Sequence, residues 1–122
     1  MKKLVILVCA FSFFSSCDYD SEDKLYGTEL CDTESISYAD IIEPIISDNC
    51  TSCHSGASPS AGLNLDNYDA VWQSAQNTEN KSLVNRIERA EGAAGAMPTN
   101  YRLAQCEIDQ INAWIEQGGL NN

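Results

Sequence analysis

The stretch CTSCH, Cys50 to His54, places two cysteines three positions apart and the chain's only histidine directly after the second. Two thiols at that spacing serve three chemistries: half of a zinc site, a dithiol redox pair, or covalent attachment of haem. A structural zinc site takes four ligands, usually from two such pairs. Here there is no second pair and no second histidine, so scattered carboxylates would have to complete it. A redox dithiol sits at a strand-to-helix junction in a βαβ setting, whereas this motif follows an amphipathic segment with no strand pattern near it. Haem attachment uses every position. Each thiol adds to one vinyl group, and His54 lies under the iron as proximal ligand.

Upstream of the motif, Ile41, Ile42, Ile45 and Ile46 form one stripe of a short helix running into Cys50. Asp40 followed by Glu43 has the form of a capping box, which puts Pro44 in the first turn, where its missing N–H costs least. Downstream, SGASPSAGLNLD (55–66) carries Gly56, Pro59 and Gly62 as breakers and reads as a loop. Short helical segments follow at 67–76 and 82–90, then a second loop, GAAGAMPTN (92–100). The last element, 105–117, puts Ile108, Ile111 and Ile115 on one face and stops at Gly118-Gly119. No segment alternates as a strand does. The expected fold is all-α, with a helix at each end and loops between.

The 122-residue chain has a formal charge of −11 and suits one small domain. It opens on Met1-Lys2-Lys3, an apolar run from Leu4 to Phe14, and Ser15-Ser16-Cys17. A basic start, a short apolar core and small residues make an export signal, and the run is too short to span a bilayer. Ser15-Ser16-Cys17 resembles a bacterial lipobox, in which cleavage falls just before a cysteine that takes lipid, although Phe14 stands where that motif prefers Leu. The alternative is an ordinary secretory signal cut nearby. Cleavage removes two of the seven bases and none of the 18 acids, leaving five against 18, a net −13. With no basic cluster, nucleic-acid binding is set aside. The expected organisation is a signal peptide at 1–16, an acidic tether from Cys17 at 17–36, and the domain at 37–122. Cys9 leaves with the signal, Cys17 is the lipid site, and Cys50 and Cys53 serve the motif. Cys31 and Cys106 are left over in an oxidising setting, where they form a disulfide or stand as two buried thiols.

The segments YADIIEPIISDNCTSCHSG (38–56), AGLNLDNYDAV (61–71), AMP (96–98) and IDQINAWIEQGG (108–119) together resemble the class I cytochrome c domains of exported bacterial lipoproteins, of Bacteroidetes and planctomycete type. The resemblance covers most of 38–119. It implies one covalently bound haem c, wrapped by three or more helices whose terminal members cross, and electron transfer rather than substrate turnover. The pair Cys31 and Cys106 is a departure, since the family pattern does not require it.

An electron carrier usually fills both axial positions of its iron. After signal removal Met97 is the only methionine, and Pro98 restricts its backbone to an extended conformation. Met97 is therefore the expected distal ligand, with a gap-filling core methionine, a lysine ligand or an open site as alternatives. Gly92, Ala93, Ala94, Gly95 and Ala96 would let backbone lie flat against the ring. Leu63, Leu65 and Tyr68 are expected to line the pocket. Trp72 and Trp114 are expected in the core or the pocket wall. Arg86, Arg89 and Arg102 either pair with haem propionates or are solvated. A carbonyl in the loop Ser55–Gly62 is expected to accept the His54 ring N–H.

These readings converge on a lipid-anchored cytochrome of the cell envelope, periplasmic or on the outer surface, passing single electrons between redox proteins. The charge favours partners with a basic docking face. Two other classes remain open at this point: a haem sensor or haem enzyme with a labile sixth ligand, and a structural lipoprotein whose two motif cysteines form a disulfide.

Overall fold

A computed structural model describes residues 31–77 and 82–122. The expected signal at 1–16, the lipid site Cys17 and the tether as far as residue 30 lie outside the described residues. Among the described residues the protein is all-α, with no strand, and no helix is long and apolar enough to cross a membrane.

The first helix begins earlier than the Asp40/Glu43 pattern implied. Ser37 is the N-cap, and its side chain accepts from the Asp40 N–H at 3.3 Å. A π-helical turn, Tyr38–Ile42, then leads into α1, Glu43–Asn49. Pro44 supplies the physical reason for the wide turn. It has no N–H to give to residue 40, so a regular α ladder would break there. Instead the Ile42 and Glu43 N–H groups reach back five residues, to Ser37 and Tyr38, just ahead of the proline. The later helices start where their capping residues stand. Asn67 accepts from the Ala70 N–H at 3.0 Å and opens α2, Tyr68–Gln76. Ser82 accepts from the Asn85 N–H at 3.1 Å and opens α3, Leu83–Ile87. The last helix, α4, spans Gln105–Glu116, and its first turn closes through Glu107, which accepts from the Ala104 N–H at 2.9 Å.

The core is the meeting of the first and last elements. Ile42, Ile45 and Ile46 are buried from one side and Ile108, Ile111 and Trp114 from the other, with Val71, Leu83 and Ile87 closing the gap. Trp114 lies closer to the centre of the α4 stripe than Ile115, which is only partly buried. Four aromatic rings tie three segments together here. Trp114 stands 5.2 Å from Trp72, 5.6 Å from Tyr38 and 6.2 Å from Tyr68 between ring centres, and Tyr38 meets Tyr68 edge-on at 5.0 Å. Edge-to-face pairs of this kind add to the burial of the rings themselves. The turn after α4 completes the cluster: the Trp114 indole N–H donates to Leu120 O (3.0 Å) and the Tyr68 hydroxyl to Gly119 O (2.6 Å). Gly119 has φ of +61°, and a Cβ there would run into the Trp72 ring.

Residues 31–36, read from sequence as the end of a tether, are docked along α4. Cys31 is disulfide-bonded to Cys106, with Cα atoms 5.6 Å apart. The Gln110 side chain donates to Asp32 O (3.3 Å), the Gln117 side chain to Thr33 O (2.8 Å), and Ile36, 3% exposed, is part of the core. The packed body therefore starts before Ser37. Because the bond closes a span of 75 residues, the chain-entropy model assigns it roughly 3–5 kcal/mol. The double variant Cys31→Ser/Cys106→Ser is expected to lower the unfolding free energy by about that amount in urea denaturation. An unchanged midpoint would contradict this.

Candidate functional site

The motif is the hydrogen-bonded turn that directly follows α1, with Cys50 as the helix C-cap. Cys50 N–H donates to Ile46 O at 2.9 Å, and the Cys53 and His54 N–H groups both donate to Cys50 O, at 3.2 and 3.0 Å. One hydrogen-bonded turn thus carries both thiols and the imidazole. The following loop folds back on that turn: the Ser60 N–H donates to Cys53 O (2.8 Å) and the Leu65 N–H to His54 O (2.8 Å). His54 Nδ1 lies 3.2 Å from Leu63 O. A carbonyl only accepts, so this contact favours the proton on Nδ1 and leaves Nε2 with its lone pair. The expected carbonyl was one within Ser55–Gly62; Leu63 lies one residue beyond. The turn Ser60–Gly62, with Ala61 and Gly62 both at positive φ, carries the chain past the motif before Leu63 comes level with the ring.

Beside this turn lies a cleft of about 600 Å³, inside the range of about 300–1,000 Å³ common for small-molecule and cofactor sites. Cys50, Cys53 and His54 line it together with Leu63, Leu65, Leu83 and Ile87, and residues 97–101 close it. Met97, some forty residues on in the chain, is thus brought to the same cleft as His54. Cys50 and Cys53 are free thiols, and burial, with a smaller effect from Glu107, pushes the Cys50 thiol up to about 11. Cys50 is therefore a neutral thiol within the wall. Among the described residues no group of three or more His, Cys, Asp or Glu side chains is placed to hold a metal ion. Two sulfurs and an imidazole on one turn, an apolar wall and a methionine at the other side of the chain fit a haem.

Two expected roles change. Tyr68 is not at the cleft: its ring packs on Tyr38 and Trp114, and its hydroxyl bonds to Gly119. Its place on the α2 helix face turns it to the core. Gly92 to Ala96 do not line the cleft either, which takes its wall from Met97 onward. They fold against α3, and Arg86 and Arg89 donate to two of their carbonyls, at Gly95 and Ala94. Arg86 also lines the cleft, and these acceptors on backbone leave no signal in residue types. Trp72 and Trp114 both belong to the core. One further residue went unnoticed in the sequence: the Tyr101 hydroxyl donates to Asn49 Oδ1 at 2.8 Å, linking the residue before Cys50 to the loop after Met97.

The family model described as Planctomycete cytochrome C matches residues 50–99. That span opens on Cys50 and closes just past Met97-Pro98, so it contains both ends of the cleft. No curated protein and no solved structure matches the chain. Over residues 50–99, less than half of the chain, the protein is similar to that family, and the all-α fold and the cleft are consistent with a cytochrome c-type domain.

Proposed function

We propose that the protein is a mono-haem c-type cytochrome, tethered to a membrane of the cell envelope, that passes single electrons between larger redox proteins. The observation that carries this is the sharing of one apolar cleft by Cys50, Cys53, His54 and Met97. Haem bound there supplies a one-electron ferric–ferrous couple. The chain's part is to hold and shield it. Cys50 and Cys53 would form two thioethers, and His54 would present Nε2 while Leu63 O holds the Nδ1 proton. Met97 would present its thioether from the other side. Leu63, Leu65, Leu83 and Ile87 would keep water from the haem, and His54 and Met97 together would leave the iron no position for a substrate, which suits electron transfer better than substrate turnover.

Removing the sulfur tests the ligand set. Met97→Ala is expected to keep its covalent haem and to lose the sulfur–iron charge-transfer band of the oxidised protein. A wild type without that band, whose reduced form binds carbon monoxide at neutral pH, would instead be a sensor or enzyme with a labile sixth site.

Membrane tethering rests on the lipobox resemblance at Cys17, with Asp18, Asp20, Glu22 and Asp23 as an acidic spacer. One acyl chain anchors only marginally, whereas two or more hold firmly, and the resemblance implies three. Acids directly after the lipid-bearing cysteine are compatible with export to the outer surface as well as with a periplasmic site. Cys17→Ser is expected to release soluble holoprotein. Finding the wild type already soluble would identify an ordinary secretory signal.

The five bases against 18 acids left after cleavage support a partner with a basic docking face. Electron exchange with a small cationic redox reagent is expected to be fastest at low salt and to slow as screening shortens to roughly 3 Å at 1 M. An anionic reagent is expected to show the opposite trend. Rates independent of salt for both would place the acids away from the exposed haem edge and favour docking through an apolar patch.

A further inference from the structure

Arg86 stands in the last turn of α3, and Arg89 follows two residues beyond its end at Ile87. Both reach the same loop. Arg86 Nη1 donates to Gly95 O at 2.9 Å and Arg89 Nη1 to Ala94 O at 2.6 Å. The Arg89 fork is itself held, with Nε donating to Asn85 O (3.1 Å) and Nη2 to Asn85 Oδ1 (2.6 Å). The Met97 N–H donates to Arg86 O at 3.1 Å, so backbone and side chain of one arginine both meet the loop. Gly95 is shaped for this arrangement. Its φ is +77°, and a Cβ there would stand 2.7 Å from Arg89 Nη1 and run into the Arg86 guanidinium. Within the loop, the Ala93 N–H donates to Ala90 O and the Ala96 N–H to Ala93 O, both at 3.0 Å, but it has no large side chain to pack. From Gly92 to Ala96 no side chain exceeds a methyl group, and Ala96 is the one residue of the five that is buried. A segment so rich in glycine and alanine loses much backbone freedom on ordering, and charge-assisted hydrogen bonds are among the stronger ones available to offset that loss.

We propose that Arg86 and Arg89 are positioning residues for the sixth ligand: their guanidiniums latch the Ala94-Gly95 carbonyls to α3 and so set how often Met97 leaves the iron. This rests on Met97 being that ligand. An exogenous ligand competes for the iron only in the fraction of molecules in which Met97 is detached, so its apparent affinity reports that fraction directly.

The test is titration of the ferric holoprotein with imidazole, followed by the charge-transfer band. Arg86→Ala and Arg89→Ala are each expected to bind imidazole about tenfold more tightly than wild type, the effect of losing one such hydrogen bond. Arg86→Lys and Arg89→Lys, which keep one donor, are expected to recover part of the difference. Gly95→Ala attacks the same contact from the loop side and is expected to act in the same direction. The Cys31→Ser/Cys106→Ser variant serves as control. It loses stability on the outer side of α4 and is expected to keep the wild-type imidazole affinity to within about twofold. Unchanged affinity in both arginine variants, with the band present in wild type, would overturn the latch and leave the Met97 assignment intact. Tightening in Arg86→Ala alone would assign the effect to a charge lining the cleft and would also overturn it. An absent band in wild type would overturn the assignment of Met97, and the latch with it.

Discussion

Trp114 has no exposed surface, and the rings of Tyr38, Tyr68 and Trp72 all stand on it. That packing fixes the last helix against the first, and the first helix is the one that runs without a break into Cys50. The position of both thiols and of His54 therefore depends on a tryptophan far along the chain. Burying an aromatic of this size is among the largest single contributions a small core can contain. The Cys31–Cys106 bond and the four hydrogen bonds that the Gln110 and Gln117 side chains make with Asp32, Thr33, Glu34 and Ile36 brace the same helix from outside.

The two walls of the cleft are built by different means. On the histidine side, helix hydrogen bonds set the backbone, and the loop bonds back to Cys53 and His54 through two backbone N–H groups. On the methionine side, residues 97–101 are loop. The backbone there runs through glycine turns at Gly92 and Gly95, and its position derives from α3 and from the Tyr101–Asn49 bond. Under the proposed haem assignment, a histidine side set by backbone bonds and a methionine side held by a few polar contacts would leave His54 fixed and Met97 adjustable.

The sequence was informative where a signal is local. Asn67 and Ser82 announce their helices because capping is a contact between near neighbours, and the isoleucine stripes of α1 and α4 follow from helical period alone. It misled where two local signals competed: Asp40 and Glu43 have capping-box spacing, but Ser37 holds the cap and Pro44 forces a wider turn. It was silent where the partner is backbone. Leu63 O, Gly95 O and Ala94 O are acceptors that any residue would supply, so neither the histidine's partner nor the arginines' could be read from residue types. Tyr68 marks the remaining limit. Period places it on a helix, but only the tertiary arrangement decides whether it faces the cleft or Trp114.

The claim on which the rest stands is that Cys50 and Cys53 carry one haem through two thioether bonds. The absorption spectrum of the denatured, reduced protein in alkaline pyridine tests it most directly, because denaturation removes every effect of the fold and leaves only the chemistry of the porphyrin's substituents. The account predicts one haem per chain that resists acid–solvent extraction, with the band position of a porphyrin whose two vinyl groups are both saturated. A colourless protein, or a haem that extracts freely with both vinyls intact, would contradict it.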